Sequence, residues 1–149
     1  MEKNNTDTLQ IYRYLKKSKF FRNLDKNSLW PISDISEIRY YQPNELLIEQ
    51  NTPPSGVFLI KEGKVAVFTE EEGGQENLIS QLGSGEIIGE ISVIDNLPTT
   101  ASAKAIEPTE CIFFSCWDFN TQMQSYPRIA IQLLPVLAKR IRKLMEQNK

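Results

Sequence analysis

The chain has 149 residues, of which 40% are apolar and 24% are charged, so it has the composition of a globular protein and the length of one domain. It contains no histidine, which excludes Ser-His-Asp triads, histidine general bases and histidine-ligated metals. The net charge is only −2, but it divides into +4 over residues 1–30, −11 over residues 31–127 and +5 over residues 128–149. This division indicates basic ends that lie along an acidic body. A basic surface for nucleic acid is the alternative interpretation. It is disfavoured because no aromatic residues interleave with the C-terminal charges.

No apolar run approaches the length of a membrane span, and the first thirty residues lack the pattern of a signal peptide. We therefore expect a soluble, cytoplasmic protein with no membrane partner. Internal repeats and flexible linkers are not apparent, so residues 1–149 are interpreted as a single domain.

The N-terminal part of the chain is helical in pattern. Apolar side chains recur every three residues within Thr8–Phe21, and lysines fill the far side. Asp25 offers a cap, and Asn27–Ile32 is interpreted as a short second helix. The sequence thus predicts N-terminal helices within residues 1–37.

Residues 38–117 change to short, β-branched runs that are separated by turn residues. Many short strands at near-regular spacing predict an antiparallel β-roll of the jelly-roll type, in a fold that is mainly β with flanking helices. Gly73 and Gly74 lie among glutamates and are interpreted as an exposed hairpin tip that takes no part in a pocket. The predicted strands are Glu45–Gln50, Gly56–Lys61, Lys64–Glu70, Glu76–Leu82, Ala101–Glu107 and Glu110–Trp117.

The two cysteines, Cys111 and Cys116, lie five positions apart in the last of these predicted strands. An odd spacing places them on opposite faces of a strand, so we expect no disulfide between them. They are interpreted as small buried hydrophobes.

Residues 118–149 return to a helical period and predict a pair of C-terminal helices. Asp118 is a candidate N-cap for a helix through Gln124, and Pro127 is a candidate first residue of the last helix. Pro135 removes one backbone donor, so it should kink the last helix or divide it in two.

The last helix carries an apolar stripe that is wider than one contact surface needs. Two arrangements would cover it: the helix packs on the roll and also on a second helix, or it packs on a partner chain. A homodimer is the favoured form, although the basic residues on this helix oppose it. The stripe consists of Ile129, Leu133, Leu137, Ile141 and Leu144, and it is widened by Leu134, Ala138 and Met145.

The segment from residue 83 to residue 106 carries the candidate binding chemistry. Its pattern indicates a strand, a tight turn at Gly89, about one helical turn and a returning strand. The amides of residues 90–92 would point at an anion, the Glu90 carboxylate could accept from a sugar hydroxyl, and nearby hydroxyls would add donors. A glycine-rich corner that only joins two strands is the alternative interpretation. The hydroxyl donors are Thr99, Thr100 and Ser102.

Five motifs, in order along nearly the whole chain, resemble the cyclic-nucleotide-binding domain family, which includes the effector domains of catabolite activator protein and of the regulatory subunits of cyclic-AMP-dependent kinase. The segment Ile88–Ser92 followed by Pro98–Ala101 is similar to that family's phosphate-binding cassette, without a gap in spacing. The other motifs are Phe20–Leu24, Tyr40–Glu45, Val57–Val65, and Tyr126-Pro127 followed by Leu133–Leu144.

The resemblance implies a regulatory module that binds cyclic AMP or cyclic GMP, without a cofactor or a metal. The implied ligand-binding residues are Gly89, Glu90, Ile91, Ser92, Thr99, Thr100, Ala101 and Ser102.

The chain departs from the family pattern at the residue that pairs with the cyclic phosphate. Thr99 stands where the family has an arginine, and this replacement removes about 3–6 kcal/mol of charged hydrogen bonding. Asn44 and Asn51 replace two family glycines, and asparagine tolerates positive φ better than other residues with a side chain.

Two functions remain open at this point. The favoured one is a stand-alone, non-catalytic regulatory module that senses a cyclic nucleotide or a related small anion weakly. The alternative is a module that binds no ligand and acts by dimerisation or protein contact through its C-terminal helix. An enzyme is disfavoured, because without histidine it would need a paired set of carboxylates or lysines, and none stands out.

Overall fold

The computed structural model describes residues 5–148 of the chain, and side chains from residue 7 onward. Residues 1–4 and 149, which the predicted helical ranges include, lie outside the described residues. No described helix is both long and apolar enough to cross a membrane. The helices are α1 (Asn5–Lys17), α2 (Lys26–Ile35), α3 (Glu90–Asp95), α4 (Cys116–Ser125) and α5 (Arg128–Gln147).

Eight described strands form two four-stranded antiparallel sheets, which confirms the predicted β-roll with flanking helices. One sheet has the order β1-β8-β3-β6 and the other has the order β2-β7-β4-β5. The strands are β1 (Glu37–Tyr41), β2 (Leu46–Ile48), β3 (Gly56–Glu62), β4 (Val65–Glu70), β5 (Glu76–Leu82), β6 (Ile87–Ile88), β7 (Ser102–Ala105) and β8 (Thr109–Ser115).

Strands β3 and β8 divide their apolar side chains between two cores. In β8, Ile112 and Phe114 face the helices, whereas Cys111 and Phe113 face the second sheet. β3 alternates in the same way, because successive side chains of a strand point to opposite faces. One sheet therefore separates a core shared with the helices from a core shared with the other sheet.

The predicted absence of a disulfide is confirmed, but Cys116 is only half-buried and begins α4 rather than lying in the strand. Both thiols are free, Cys111 lies in the core between the sheets, and Cys116 packs against the core on the helical side. Burial, with a smaller contribution from the charge of Glu110, raises the pKa of the Cys111 thiol to about 12.

The hairpin tip is as exposed as the sequence predicts. Every residue from 70 to 79 is exposed, and both Gly73 and Gly74 have positive φ with open space around them.

The predicted cap of the first C-terminal helix is wrong. Ser115 rather than Asp118 caps α4, since its hydroxyl accepts the Asp118 amide, and the helix therefore starts at Cys116. Of the two alternatives for Pro135, division of the helix is excluded because α5 continues from Arg128 to Gln147, and the kink stays a prediction. A proline inside a helix removes one backbone hydrogen bond, and the hydrogen bonds of the other turns keep this long helix continuous.

The apolar stripe of α5 packs on the body only in its first half. Ile129 and Leu133 are buried, and Leu137 is half-buried against the helical core. Ile141 and Leu144 are exposed, so the body of the chain covers only the first half of the stripe.

Asp25 joins the start of α2 to α5. Its carboxylate accepts from the Ser28 amide at 2.9 Å and from Gln132 Nε2 at 3.0 Å, and it pairs with Arg128 at 2.6 Å. The hydrogen bond from Gln132 is the main reason that the pKa of Asp25 falls to about 2, and the bond from Ser28 and the charge of Arg128 lower it further.

The depressed pKa of Asp25 predicts a pH-dependent contribution to stability. A carboxylate whose pKa is lower in the folded protein stabilises fully above its unfolded pKa of about 4, and this contribution is lost as the pH falls towards 2. Urea unfolding of wild type and Asp25→Asn should therefore give a difference in unfolding free energy that shrinks from pH 6 to about pH 2. Asp34→Asn, which changes an exposed aspartate on α2, is the control. A difference that stays constant with pH would contradict the assignment.

Candidate functional site

One cavity of about 230 Å³ contains all eight predicted ligand-binding residues in its lining. It lies where β6 turns into α3 and where the chain returns into β7. The cavity is slightly smaller than the roughly 300–1,000 Å³ typical of small-molecule sites. The remaining lining residues are Ile48, Val67, Ser80, Leu82, Ile87, Ile88 and Ala103.

Gly89 shapes the turn at one wall of the cavity. Its φ is +91°, as the sequence predicts, and it immediately precedes α3. A Cβ at this position would lie 2.5 Å from the carbonyl oxygen of Gly56, at the start of β3. Both the backbone conformation and the close approach of β3 therefore require glycine here.

Glu90 is the charged residue in the described lining, and α5 neutralises it. Arg140 Nη1 donates to Glu90 Oε1 at 2.6 Å, with the Glu90 side chain 11% exposed and that of Arg140 40% exposed. The Arg140 guanidinium also lies 5.0 Å from the centre of the Phe20 ring. One residue of α5 thus contacts both Glu90, which lines the cavity, and Phe20, which follows α1.

The Arg140 contact was not predicted, although the sequence contained a signal for it. Arg140 follows Leu133 by seven positions and Leu137 by three, which is the spacing of the buried face of α5. A charged residue at such a position needs a partner, and Glu90 supplies it.

The Thr99 hydroxyl is used inside the protein. It donates to the Glu49 carbonyl at 2.6 Å and accepts from the Thr52 amide at 3.1 Å. The backbone of Thr99 also exchanges two hydrogen bonds with the chain at Asn51 and Thr52. Thr99 is buried, and it fixes the turn after β2 against the cassette rather than offering its proton to the cavity.

The other predicted residues differ in their access to the cavity. The buried Ser102 hydroxyl accepts the Gln50 amide at 2.9 Å. Thr100 and Ile91 are exposed, whereas Ser92 and Ala101 are half-buried. The structure brings these residues to one cavity, and their roles in binding stay predictions.

Lysine and arginine are absent from the described lining of this cavity. Its walls are largely apolar, and its polar groups are backbone amides, hydroxyls and the paired Glu90. A ligand would therefore meet neutral donors and one acceptor carboxylate.

A second depression, of about 380 Å³, lies at another part of the surface and contains none of the predicted residues. Tyr40 and Tyr41 line it together with three glutamates, of which Glu110 is paired with Lys61 at 3.1 Å. Its carboxylates make it unsuitable for an anion, so the cassette cavity is the candidate site.

The comparisons with known proteins agree with this geometry. The family "Cyclic nucleotide-binding domain" matches residues 38–126, and this chain belongs to that family. The cyclic AMP receptor protein of Thermus thermophilus is 34% identical over 104 residues, which cover 70% of this chain and 48% of that protein. The resemblance predicted from the five motifs is confirmed.

Solved structures show the same fold. The catabolite activator protein of Thermus thermophilus has a TM-score of 0.72 and 30% identity, over 87% of this chain and 61% of that chain. The N-terminal domain of a transcriptional regulator from Streptomyces coelicolor has a TM-score of 0.76 and 24% identity, over 91% of this chain and 95% of that chain.

The relatives are longer proteins of several kinds. A lysophospholipase, nte1, of Aspergillus terreus is 29% identical over 103 residues, which cover 69% of this chain but only 7% of that enzyme. This chain thus spans about half or less of the curated relatives named here, and the activities of those whole proteins do not carry over to it.

The buried hydrogen bonds of Thr99 predict that its hydroxyl stabilises the fold. Thr99→Val should lower the free energy of unfolding by about 1–3 kcal/mol, because the Thr52 amide loses its side-chain acceptor in a part-buried position. Thr100→Val, at the exposed neighbouring residue, should change it by less than about 0.5 kcal/mol. Urea denaturation of both variants measures the difference. Equal effects would show that the Thr99 hydroxyl does not hold the turn.

Proposed function

We propose that this chain is a non-catalytic, cytoplasmic regulatory module whose cassette cavity binds a cyclic nucleotide weakly. The observation that supports it most is the convergence of all eight predicted ligand-binding residues on one cavity, in a member of the cyclic nucleotide-binding domain family. The positive φ of Gly89 and its contact with β3 preserve the turn that such a cassette needs.

The side-chain chemistry supports a binding role rather than catalysis. The chain has no histidine, and the Cys111 thiol keeps its proton because its pKa is raised to about 12. The Glu90 carboxylate is engaged by Arg140 at 2.6 Å.

Weak binding of a cyclic phosphate follows from the missing cation. An arginine fork makes two charged hydrogen bonds, and Thr99 offers no replacement because its proton is used by Glu49. The charge of −11 on residues 31–127 opposes the approach of an anion still further.

The Glu90–Arg140 ion pair couples the cavity to α5. A ligand that moves Glu90 would disturb a 2.6 Å contact with the helix whose exposed half projects from the body. Occupancy of the cavity would in this way change the position of α5, which is the natural output surface of the module.

A second candidate role is self-association through α5. Ile131, Leu134, Ala138, Ile141 and Met145 are all exposed, and they follow each other at spacings of three, four, three and four residues. This spacing is the heptad pattern of a helix that pairs with a second helix. We name these five residues the α5 seam.

The charges on α5 are compatible with such pairing. Lys139 and Lys143 fall on the side away from the seam, and Arg140 is paired with Glu90, so only Arg142 flanks it closely. The repulsion expected from the basic sequence is therefore reduced, and a second copy of this chain is the partner that the seam fits.

The absence of the cassette arginine predicts that an added arginine raises the affinity for cyclic AMP. Thr99→Arg should tighten the binding of cyclic AMP by roughly 100-fold to 10⁴-fold, since it restores a guanidinium to the cassette. Thr100→Arg places the cation at the exposed neighbour and keeps the buried Thr99 hydrogen bonds, in case the first variant does not fold. Thr99→Gln and Thr100→Gln are the uncharged controls, and isothermal titration calorimetry is the measurement. A micromolar wild type that no arginine variant improves would contradict the proposal.

The α5 seam predicts a dimer whose stability depends on one face of the helix. Light scattering of wild type at tens of micromolar and physiological salt should give the mass of a dimer. Ile141→Lys, on the seam, should shift the mass to that of a monomer, because two charges would enter an apolar contact. Gln147→Lys adds the same charge to the opposite side of α5 and should leave the dimer intact. A monomeric wild type would remove self-association as a role of this face.

A further inference from the structure

We propose that the preferred ligand of the cassette cavity is an uncharged nucleoside rather than a cyclic nucleotide. This inference rests on the proposed function, because it takes the cassette cavity as the binding site, and it names the chemical class that this site favours. It is carried by the combination of apolar walls, neutral donors and a carboxylate that is already neutralised.

The walls of the cavity suit the flat, weakly polar body of a base. They are formed mainly by branched aliphatic side chains from both sheets and from the cassette, and contact with them removes apolar surface from water. The aliphatic side chains of the lining are Ile48, Val67, Leu82, Ile88 and Ile91, whereas the Ile87 side chain packs in the helical core.

A phosphate in the same place would lose water without gaining a counter-charge. Within the described lining, the groups that could face it are amides and hydroxyls, and the proton of Thr99 is already donated to Glu49. Burial of an anion without a cationic partner is unfavourable, so the cavity discriminates against the charged ligand.

The sugar hydroxyls of a nucleoside match the hydrogen-bond acceptor that Glu90 places in the cavity lining. Glu90 Oε1 is held by Arg140, and Glu90 Oε2 makes no hydrogen bond to any residue the structure describes. An ionised carboxylate oxygen only accepts, so it suits a sugar hydroxyl and offers no hydrogen bond to a phosphate. The Arg140 guanidinium fixes this acceptor in position from outside the lining.

The test compares charged and uncharged ligands of the same base on the wild-type protein. Calorimetric titrations with adenosine, guanosine, cyclic AMP and cyclic GMP give the affinities. Methyl NMR spectra locate the site, with the Ile48, Ile88 and Ile91 methyls as reporters and Ile129, in the helical core, as the internal control.

At least one nucleoside should bind about tenfold or more tightly than its cyclic nucleotide and should shift the three reporter methyls. Thr99→Arg, or Thr100→Arg if the first does not fold, should reverse the order. A cyclic nucleotide that binds as tightly as its nucleoside, or more tightly, at the reporter methyls would overturn this inference and leave the proposed function standing. If none of the four ligands shifts the reporter methyls at millimolar concentration, both the inference and the proposed function fail.

Discussion

The pairing of β3 with β8 is the constraint on which the rest of the structure depends. These strands run antiparallel from the pair Gly56 and Ser115 to the pair Glu62 and Glu110, and both feed side chains into the two cores. The helices have a surface to pack on only because one face of this pair is apolar, and the second sheet closes over the other face. The start of β3 also sets the position of the cassette, since the Gly56 carbonyl lies against Gly89.

Helix α5 has three faces with different surroundings. The face with Ile129 and Leu133 is part of the helical core, and Arg140 continues this face to the Glu90 carboxylate. The α5 seam is open, and the basic residues Lys139 and Lys143 lie on the third face. A shift of α5 along the body would therefore change the core packing, the Glu90 contact and the orientation of the seam together, which is the coupling that a regulatory module requires.

The parts of the fold that local pattern determines could be predicted from the sequence. The prediction of a turn at Gly89 is confirmed, because a glycine between a strand and a helical turn favours positive φ. Asn44 and Asn51, which replace two family glycines, also adopt positive φ. Strand β1 was missed as a strand because its half-exposed residues blur the alternation of apolar and polar side chains.

The inward orientation of Thr99 could not be predicted, since its partners Glu49 and Thr52 are about fifty residues away in sequence. Sequence pattern identified the cassette residues, but tertiary contacts decide which of their polar groups remain available. The same limit applies to Arg140, whose position on the buried face was visible in the period of α5 while its partner was not.

The unequal packing of α5 has a consequence for its local unfolding. The first turns are held by the helical core, whereas Ile141, Leu144 and Met145 in the last turns are exposed. A helix segment without tertiary contacts is only marginally stable in water, so the free energy of local opening must fall along α5 towards its C-terminal end. A partner that covers the seam would raise the free energy of opening in these last turns, and amide hydrogen exchange along this one helix would therefore show whether the seam is occupied.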